Sequence, residues 1–221
     1  MPGSQKVLRN ILKILPFGKI ASECENGGEM KIVFASGNSG KLREAAEIFN
    51  GFEIVPIKGY PDWISPEENG STFLQNSLIK AEAAFGVVRE LPVLADDSGL
   101  VVPALGGAPG ILSARFSDAG TDKANRAKLL SMLRGVSDRS AYFACSAVMI
   151  FPDGSVIAER GICPGRIIDE ERGGNGFGYD PVFVPDGFSE TLAELQEDKK
   201  NSLSHRGIAF RKLISKISRY Y

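Results

Sequence analysis

Histidine and cysteine are scarce in this chain, and their scarcity removes whole classes of chemistry. One histidine, His205, and three cysteines without paired spacing, Cys24, Cys145 and Cys163, are too few ligands for a zinc site of the Cys/His type. Odd, scattered cysteines also argue against a disulfide framework and fit a reducing compartment, so a cytoplasmic location is expected. No Gly-x-Ser-x-Gly elbow accompanies the histidine, which disfavours a Ser–His hydrolase. No apolar run approaches the roughly 20 residues of a membrane span. A basic excess is missing too. The 26 lysines and arginines face 27 acidic residues, a formal net charge of −1, which argues against tight binding to a nucleic-acid backbone. A small polyanion held by a few local cations and a metal remains open.

What is present suits a folded interior: 221 residues, 43% hydrophobic and 24% charged, fit one globular domain or two small lobes sharing a core. Residues 1–29 stand apart. Val7, Leu8, Ile11, Leu12 and Leu15 follow helical spacing with Lys6, Arg9, Lys13 and Lys19 among or near them, ahead of a polar, glycine-containing stretch. One arginine and few serines match an organelle-targeting segment poorly, so a dispensable, poorly ordered extension ahead of Met30 is expected.

From Lys31 the pattern becomes regular. Residues 31–35 form a short apolar run that ends in Ser36, Gly37, Asn38, Ser39, Gly40 and Lys41. Leu42, Ala45, Ala46 and Phe49 then line one face of a helix. Residues 53–57 read as a strand. A second helix carries Leu74, Leu78, Ala81 and Phe85 behind a possible Thr72/Gln75 capping box. Residues 92–95 predict a strand that delivers Asp96, Asp97, Ser98 and Gly99 at its end, and residues 121–133 a third helix with Thr121 as N-cap. Residues 141–151 and 155–163 flank a Pro-Asp-Gly turn as a long hairpin. A second glycine-rich loop, residues 173–181, leads into a strand at 182–184. Phe210, Leu213, Ile214, Ile217 and Tyr221 share one face of a last helix. With no internal repeat and no long linker, the expectation is a mixed α/β protein of two lobes around a cleft.

Three of these segments carry chemistry. A strand feeding glycines into a helix start aims backbone N–H groups and the positive helix end at one concavity. Lys41 in the first turn is unfavourable for an isolated helix, which suggests a negative ligand there. The spacing is not that of a Walker loop, and a tight turn with a solvent lysine is the plain alternative. On a strand, adjacent aspartates point to opposite faces. One of Asp96 and Asp97 therefore faces the cleft while its neighbour is structural, and such carboxylates suit magnesium, with Glu67 or Glu68 as a second donor. Phe177 and Tyr179, set among glycines, can stack on a nucleobase or simply plug a sheet corner. Arg206 and a nearby lysine can clamp phosphate or base.

Taken in order, the segments at 36–41, 95–100, 107–110 with 113–115, 177–181 and 204–207 resemble the inosine triphosphate pyrophosphatase family, from about Met30 to the C-terminus. The resemblance implies a long mixed β-sheet flanked by helices in two lobes, with nucleotide in the central cleft and a homodimer as the usual assembly. It implies that Ser36, Gly37, Asn38, Ser39, Gly40 and Lys41 hold the triphosphate, that Lys80 can face phosphate, and that Ser98 touches substrate. Asp97 becomes proton acceptor and metal ligand, with Glu67 the best match for the upstream acidic ligand and Glu68 close behind. Phe177, Gly178, Tyr179 and Asp180 shape the base pocket, joined by Lys200, His205 and Arg206. The family often has Glu-Asn where this chain has Gln75-Asn76, so any metal role at that position is lost. The implied activity is magnesium-dependent hydrolysis of non-canonical purine nucleoside triphosphates (ITP, dITP, XTP) to monophosphate and pyrophosphate. Rival readings are a nucleotide-binding regulatory module without catalysis and a phosphohydrolase of ordinary nucleotides.

Overall fold

The computed structural model describes residues 30–217. The expected N-terminal extension, residues 1–29, and Tyr221 lie outside the described residues. The elements in chain order are β1 (Met30–Phe34), α1 (Ser39–Ile48), β2 (Phe52–Pro56), α2 (Phe73–Val88), β3 (Val93–Val101), α3 (Asp122–Met132), β4 (Ser140–Ile150), β5 (Val156–Ile167), β6 (Phe183–Pro185), α4 (Glu197–Leu203) and α5 (His205–Ile217). The strands form one six-stranded sheet in the order β2-β1-β3-β4-β5-β6. The first three strands run parallel and the rest antiparallel, so the sheet is mixed, as the sequence implied.

Strand alternation divides the interior. Ile32, Phe34 and Leu94 point to the face covered by α1 and α5, where they meet Phe49, Phe210 and Leu213. Val33, Ala35, Val93 and Ala95 point to the other face and pack on Ala81 and Ala84 of α2. Strands covered on both faces read as unbroken apolar runs, which is what residues 31–35 show. A separate cluster holds Leu100, Val102, Leu129, Leu133, Phe143 and Phe183, and it forms the second lobe around α3, the start of β4 and β6. A cavity of about 590 Å³ opens where the two lobes meet. Among the described residues no helix is long and apolar enough to cross a membrane.

The strand predicted to stop at Ala95 runs on to Val101, so the two aspartates lie mid-strand. β1 pairs with β3 only at Val93 and Leu94 and then leaves, while β4 accompanies β3 from Val93 to Val101. The β1-side edge of β3 therefore has no strand partner from Ala95 until Val101, which bridges Pro109. Gly99 draws a 3₁₀ segment, Gly110–Arg115, onto this part of the strand: a Cβ there would collide with the Gly110 carbonyl and sit 3.0 Å from Ser113 Cβ. Capping follows the sequence with one shift. Thr72 Oγ1 accepts from the Gln75 amide at 3.2 Å, but the Gln75 carboxamide turns to the Ser71 amide at 2.7 Å.

Candidate active site

The cavity is built from three strips of chain. The first follows β1. Asn38 caps α1, its Oδ1 accepting from the Lys41 amide at 3.0 Å, while Ser36 Oγ accepts from the Asn38 amide at 3.2 Å. Ser36, Gly37, Asn38 and Lys41 line the cavity. Ser39 and Gly40 are not among the lining residues; Gly40 lies against the Phe177 ring, and a Cβ there would fall 2.5 Å from Phe177 Cδ1. Lys41 turns inward, and both oxygens of Asp96 accept from its Nζ at 3.1 and 3.0 Å. The first-turn lysine thus has a resident anion where the sequence suggested only a ligand.

The second strip is β3 with α2. Asp96 is fully buried between Lys41 and Arg206, whose Nε donates to Oδ2 at 3.2 Å. Burial opposes its charge, but those two cations outweigh burial and hold the carboxyl far below the usual range. Asp97, on the opposite face, lines the cavity. Its Oδ2 accepts from Asn76 Nδ2 at 3.0 Å and its Oδ1 from the Ser98 amide at 3.0 Å. Burial pushes the Asp97 carboxyl up despite Lys80 and Lys41 nearby. Lys80 Nζ stands 3.8 Å from Asp97 Oδ1 and 3.3 Å from Glu68 Oε2. Of the acidic pair, Glu68 lines the cavity, whereas Glu67 is exposed and absent from its lining. The loop at 65–70 has no periodic pattern from which the facing residue can be read.

The third strip joins the second glycine loop to the start of α5. Phe177, Gly178, Tyr179, Asp180, Lys200, His205 and Arg206 all line the cavity. Lys200 Nζ lies 2.7 Å from both Asp180 Oδ2 and Glu44 Oε1 and 5.0 Å above the Phe177 ring. Burial works against the ammonium, but the two carboxylates more than offset it and raise its pKa. Arg206 pairs with Glu44 through Nη1 and donates to Ser98 Oγ from Nη2 at 2.7 Å. His205 stacks on Phe143 with centroids 4.6 Å apart, and its buried Nδ1 has no hydrogen-bond partner among the described residues. Burial, then Arg206, drives its pKa well below the usual value, so the imidazole is neutral near pH 7. These residues reach the cavity because α5 seats directly on Gly161 of β5, where a Cβ would collide with the His205 carbonyl and lie 2.7 Å from the Ala209 amide.

Asn76 and Glu44 are the residues that sequence reasoning missed. Glu44 is 1% exposed and bridges Lys200 and Arg206. Its signal was a charge three residues after Lys41, beside the apolar face of α1. Asn76 was visible only as the neighbour of a lost acidic position.

Six basic side chains line the cavity (Lys41, Lys58, Lys80, Arg115, Lys200, Arg206) against five acidic ones (Glu44, Glu68, Asp97, Asp122, Asp180). Among the described residues no group of three or more His, Cys, Asp or Glu is placed to hold a metal. The two facing carboxylates, Glu68 and Asp97, nevertheless share one cation already, the Lys80 ammonium. That donor set fits magnesium, which takes one or two protein carboxylates and completes its shell with water and phosphate oxygens.

Known proteins share the sequence and the fold that carry this cavity. The model of the Ham1 family matches residues 32–216. A dITP/XTP pyrophosphatase of Desulforamulus reducens is 46% identical over 197 residues, covering 87% of this chain and 98% of the relative. One of Nautilia profundicola is 47% identical over 186 residues, covering 81% and 93%. The solved Ham1 protein of Staphylococcus aureus superposes with a TM-score of 0.77 at 40% identity, covering 86% of this chain and 100% of that one.

Proposed function

The chain belongs to the Ham1 family, and from that membership we propose that residues 30–221 form a domain hydrolysing non-canonical purine nucleoside triphosphates, ITP, dITP and XTP, to monophosphate and pyrophosphate. The observation that carries the reading is the meeting of three features in one cavity: the turn at 36–38 with Lys41 behind it, the Asp97 carboxylate, and the aromatic loop at 177–180. A triphosphate, a base to accept its water's proton and a purine pocket need that arrangement.

Glu68 and Asp97 are the residues that would hold magnesium. The metal supplies charge neutralisation at the phosphate oxygens and lowers the pKa of a bound water. With six basic side chains nearly cancelled by five acidic ones, the cavity itself has little positive charge to spare for a triphosphate, which supports that requirement. Asp97 accepts the proton of the water that attacks the α-phosphorus, pyrophosphate being the leaving group. Asn76 and the Ser98 amide fix the carboxylate's orientation. The Gly37 amide, with Lys41 and Lys80, offsets charge on the phosphate chain and the departing pyrophosphate. Phe177 stacks on the base, and Lys200, Arg206 and the unpaired Nδ1 of neutral His205 read its edge. A site that donates to a 6-keto oxygen leaves the donor unpaired against an amino group, a mismatch worth up to ~10⁴ in discrimination.

The reading extends to a cytoplasmic homodimer. Buried, unpaired Cys145 and Cys163 support a reducing compartment, and exposed Val156 and Ile162 along β5 support a second copy as partner. Pyrophosphate release from a panel of ITP, dITP, XTP, GTP and ATP with and without magnesium tests the function. The 6-keto, non-canonical nucleotides should dominate and only with the metal present; equal rates on ATP and ITP defeat the reading.

A further inference from the structure

Beyond the Asp122 carboxylate that lines the cavity, helix α3 has no role in the chemistry proposed for the site, yet one of its faces grips the aromatic loop. Asp122, Asn125 and Arg126 share a side through i, i+3 and i+4 spacing. Asp122 Oδ2 accepts from the Gly178 amide at 2.7 Å, and Arg126 Nη1 donates to the Gly178 carbonyl at 2.8 Å. Both polar groups of one glycine are therefore held by a single helix. Gly178 has φ +60°, a conformation that leaves the backbone otherwise free to swing. Its chain neighbours are Phe177 and Tyr179, so its orientation sets theirs.

The same face holds a second anchor. Asn125 Nδ2 donates to the carbonyls of Ser113 and Ala114 at 3.3 and 3.1 Å, while its Oδ1 accepts from the Ser117 amide at 2.7 Å. The Tyr179 hydroxyl donates to that Ser113 carbonyl at 2.9 Å, and Ser113 Oγ accepts from the Leu100 amide of β3 at 2.9 Å. A continuous set of hydrogen bonds thus runs from the aromatic loop, through α3 and the 3₁₀ segment, to the strand that carries Asp97. Arg126 is also braced by Glu171 at 2.9 Å.

We propose that Asp122 and Arg126 are positioning residues for purine recognition: they fix the Gly178 peptide and, through it, the base-stacking loop. The proposal rests on the hydrolase reading given above. Contacts to the base are made equally in ground and transition states, so their loss raises KM and leaves kcat in place. Arg126→Ala and Asp122→Ala should each raise KM for ITP by ~10-fold, about what one hydrogen bond to a charged side chain contributes, and lower the ITP-over-GTP preference by a similar factor. Asp122→Asn keeps an acceptor oxygen and should recover most of the loss.

The experiment measures kcat and KM for ITP and GTP with magnesium, and the inhibition constant of inorganic tripolyphosphate, a probe with phosphates but no base. The expected result is a higher KM with kcat and the tripolyphosphate constant retained, and partial rescue by Asn at 122. Unchanged KM and preference in both alanine variants overturn the proposal. So does a parallel rise in the tripolyphosphate constant, or a loss confined to melting temperature, because each assigns the face to general architecture. Wild-type protein in the same plate separates this from the parent reading: without ITP turnover there, it is the hydrolase assignment that fails.

Discussion

Asp97 is anchored through both oxygens and lifted in pKa by burial, a combination that costs the folded protein something. A carboxyl whose folded pKa exceeds its unfolded value stabilises the fold only while protonated, so the ionised form near neutral pH is a net burden. Asp97→Asn removes that charge. Pyrophosphate release should fall by ~10³ while nucleotide binding persists. The apparent melting temperature of the free protein should rise; a lower one argues against burial as the dominant influence. Asn76→Ala leaves Asp97 Oδ2 unpartnered and should lower kcat by about tenfold with a smaller change in KM. An unchanged kcat shows that the Ser98 amide and Lys80 suffice. Strand alternation made it legible that one of Asp96 and Asp97 faces the cavity; the resemblance pointed to Asp97, and it is Asp97 that lines the cavity. Asn76 was not legible, since a neutral amide acts through a distance that only the fold creates. That Glu68 rather than Glu67 faces the cavity was likewise not legible, because it depends on how an aperiodic loop settles on Lys80.

At the scale of elements, contact between α5 and β5 depends on the absence of a side chain at Gly161. Gly161→Ala drives a methyl into the His205 carbonyl at the first turn of the helix. Overpacking of this kind costs ~1–3 kcal/mol. The expected outcome is a lower urea midpoint together with weakened ITP binding, because His205 and Arg206 move with the helix; a wild-type midpoint shows that α5 can slide without cost. Most helices and strands were readable from apolar spacing, though the short α4 was not, and Thr72 and Thr121 cap where their sequence position indicated. The overshoot of β3 beyond Ala95 was not, because it depends on a long antiparallel partner 40 to 50 residues downstream. Gly99, expected past the end of that strand, lies within it and is a seat for the 3₁₀ segment. Local patterns report on which faces are buried, but not on which neighbour does the burying.

Across the whole molecule, Lys41, Asp96, Arg206, Glu44, Lys200 and Asp180 form one unbroken buried chain of alternating charge that ties α1, β3, α4, α5 and the aromatic loop together. Glu44 and Asp96 both have folded pKa values below their ordinary ones, burial being outweighed by the cations beside them. Their contribution to stability is complete above the unfolded carboxylate range of ~3.9–4.3 and is lost as pH falls towards the depressed folded values. Urea midpoints should therefore decline as pH drops below about 4. Glu44→Gln, which leaves Lys200 and Arg206 short of an anion, should cost ~3–5 kcal/mol near neutral pH and flatten that acid decline. An identical acid profile in the variant places the titrating groups elsewhere.

The near-equality of acidic and basic side chains around the cavity, on a chain whose formal net charge is −1, has a kinetic corollary. A mouth without a surplus of either sign casts little field into solvent, so nucleotides arrive by unguided diffusion rather than by attraction from afar. Capture efficiency, kcat/KM, should hold almost constant as potassium chloride is raised from dilute to physiological levels. A steep decline would reveal a long-range pull that these side chains do not supply.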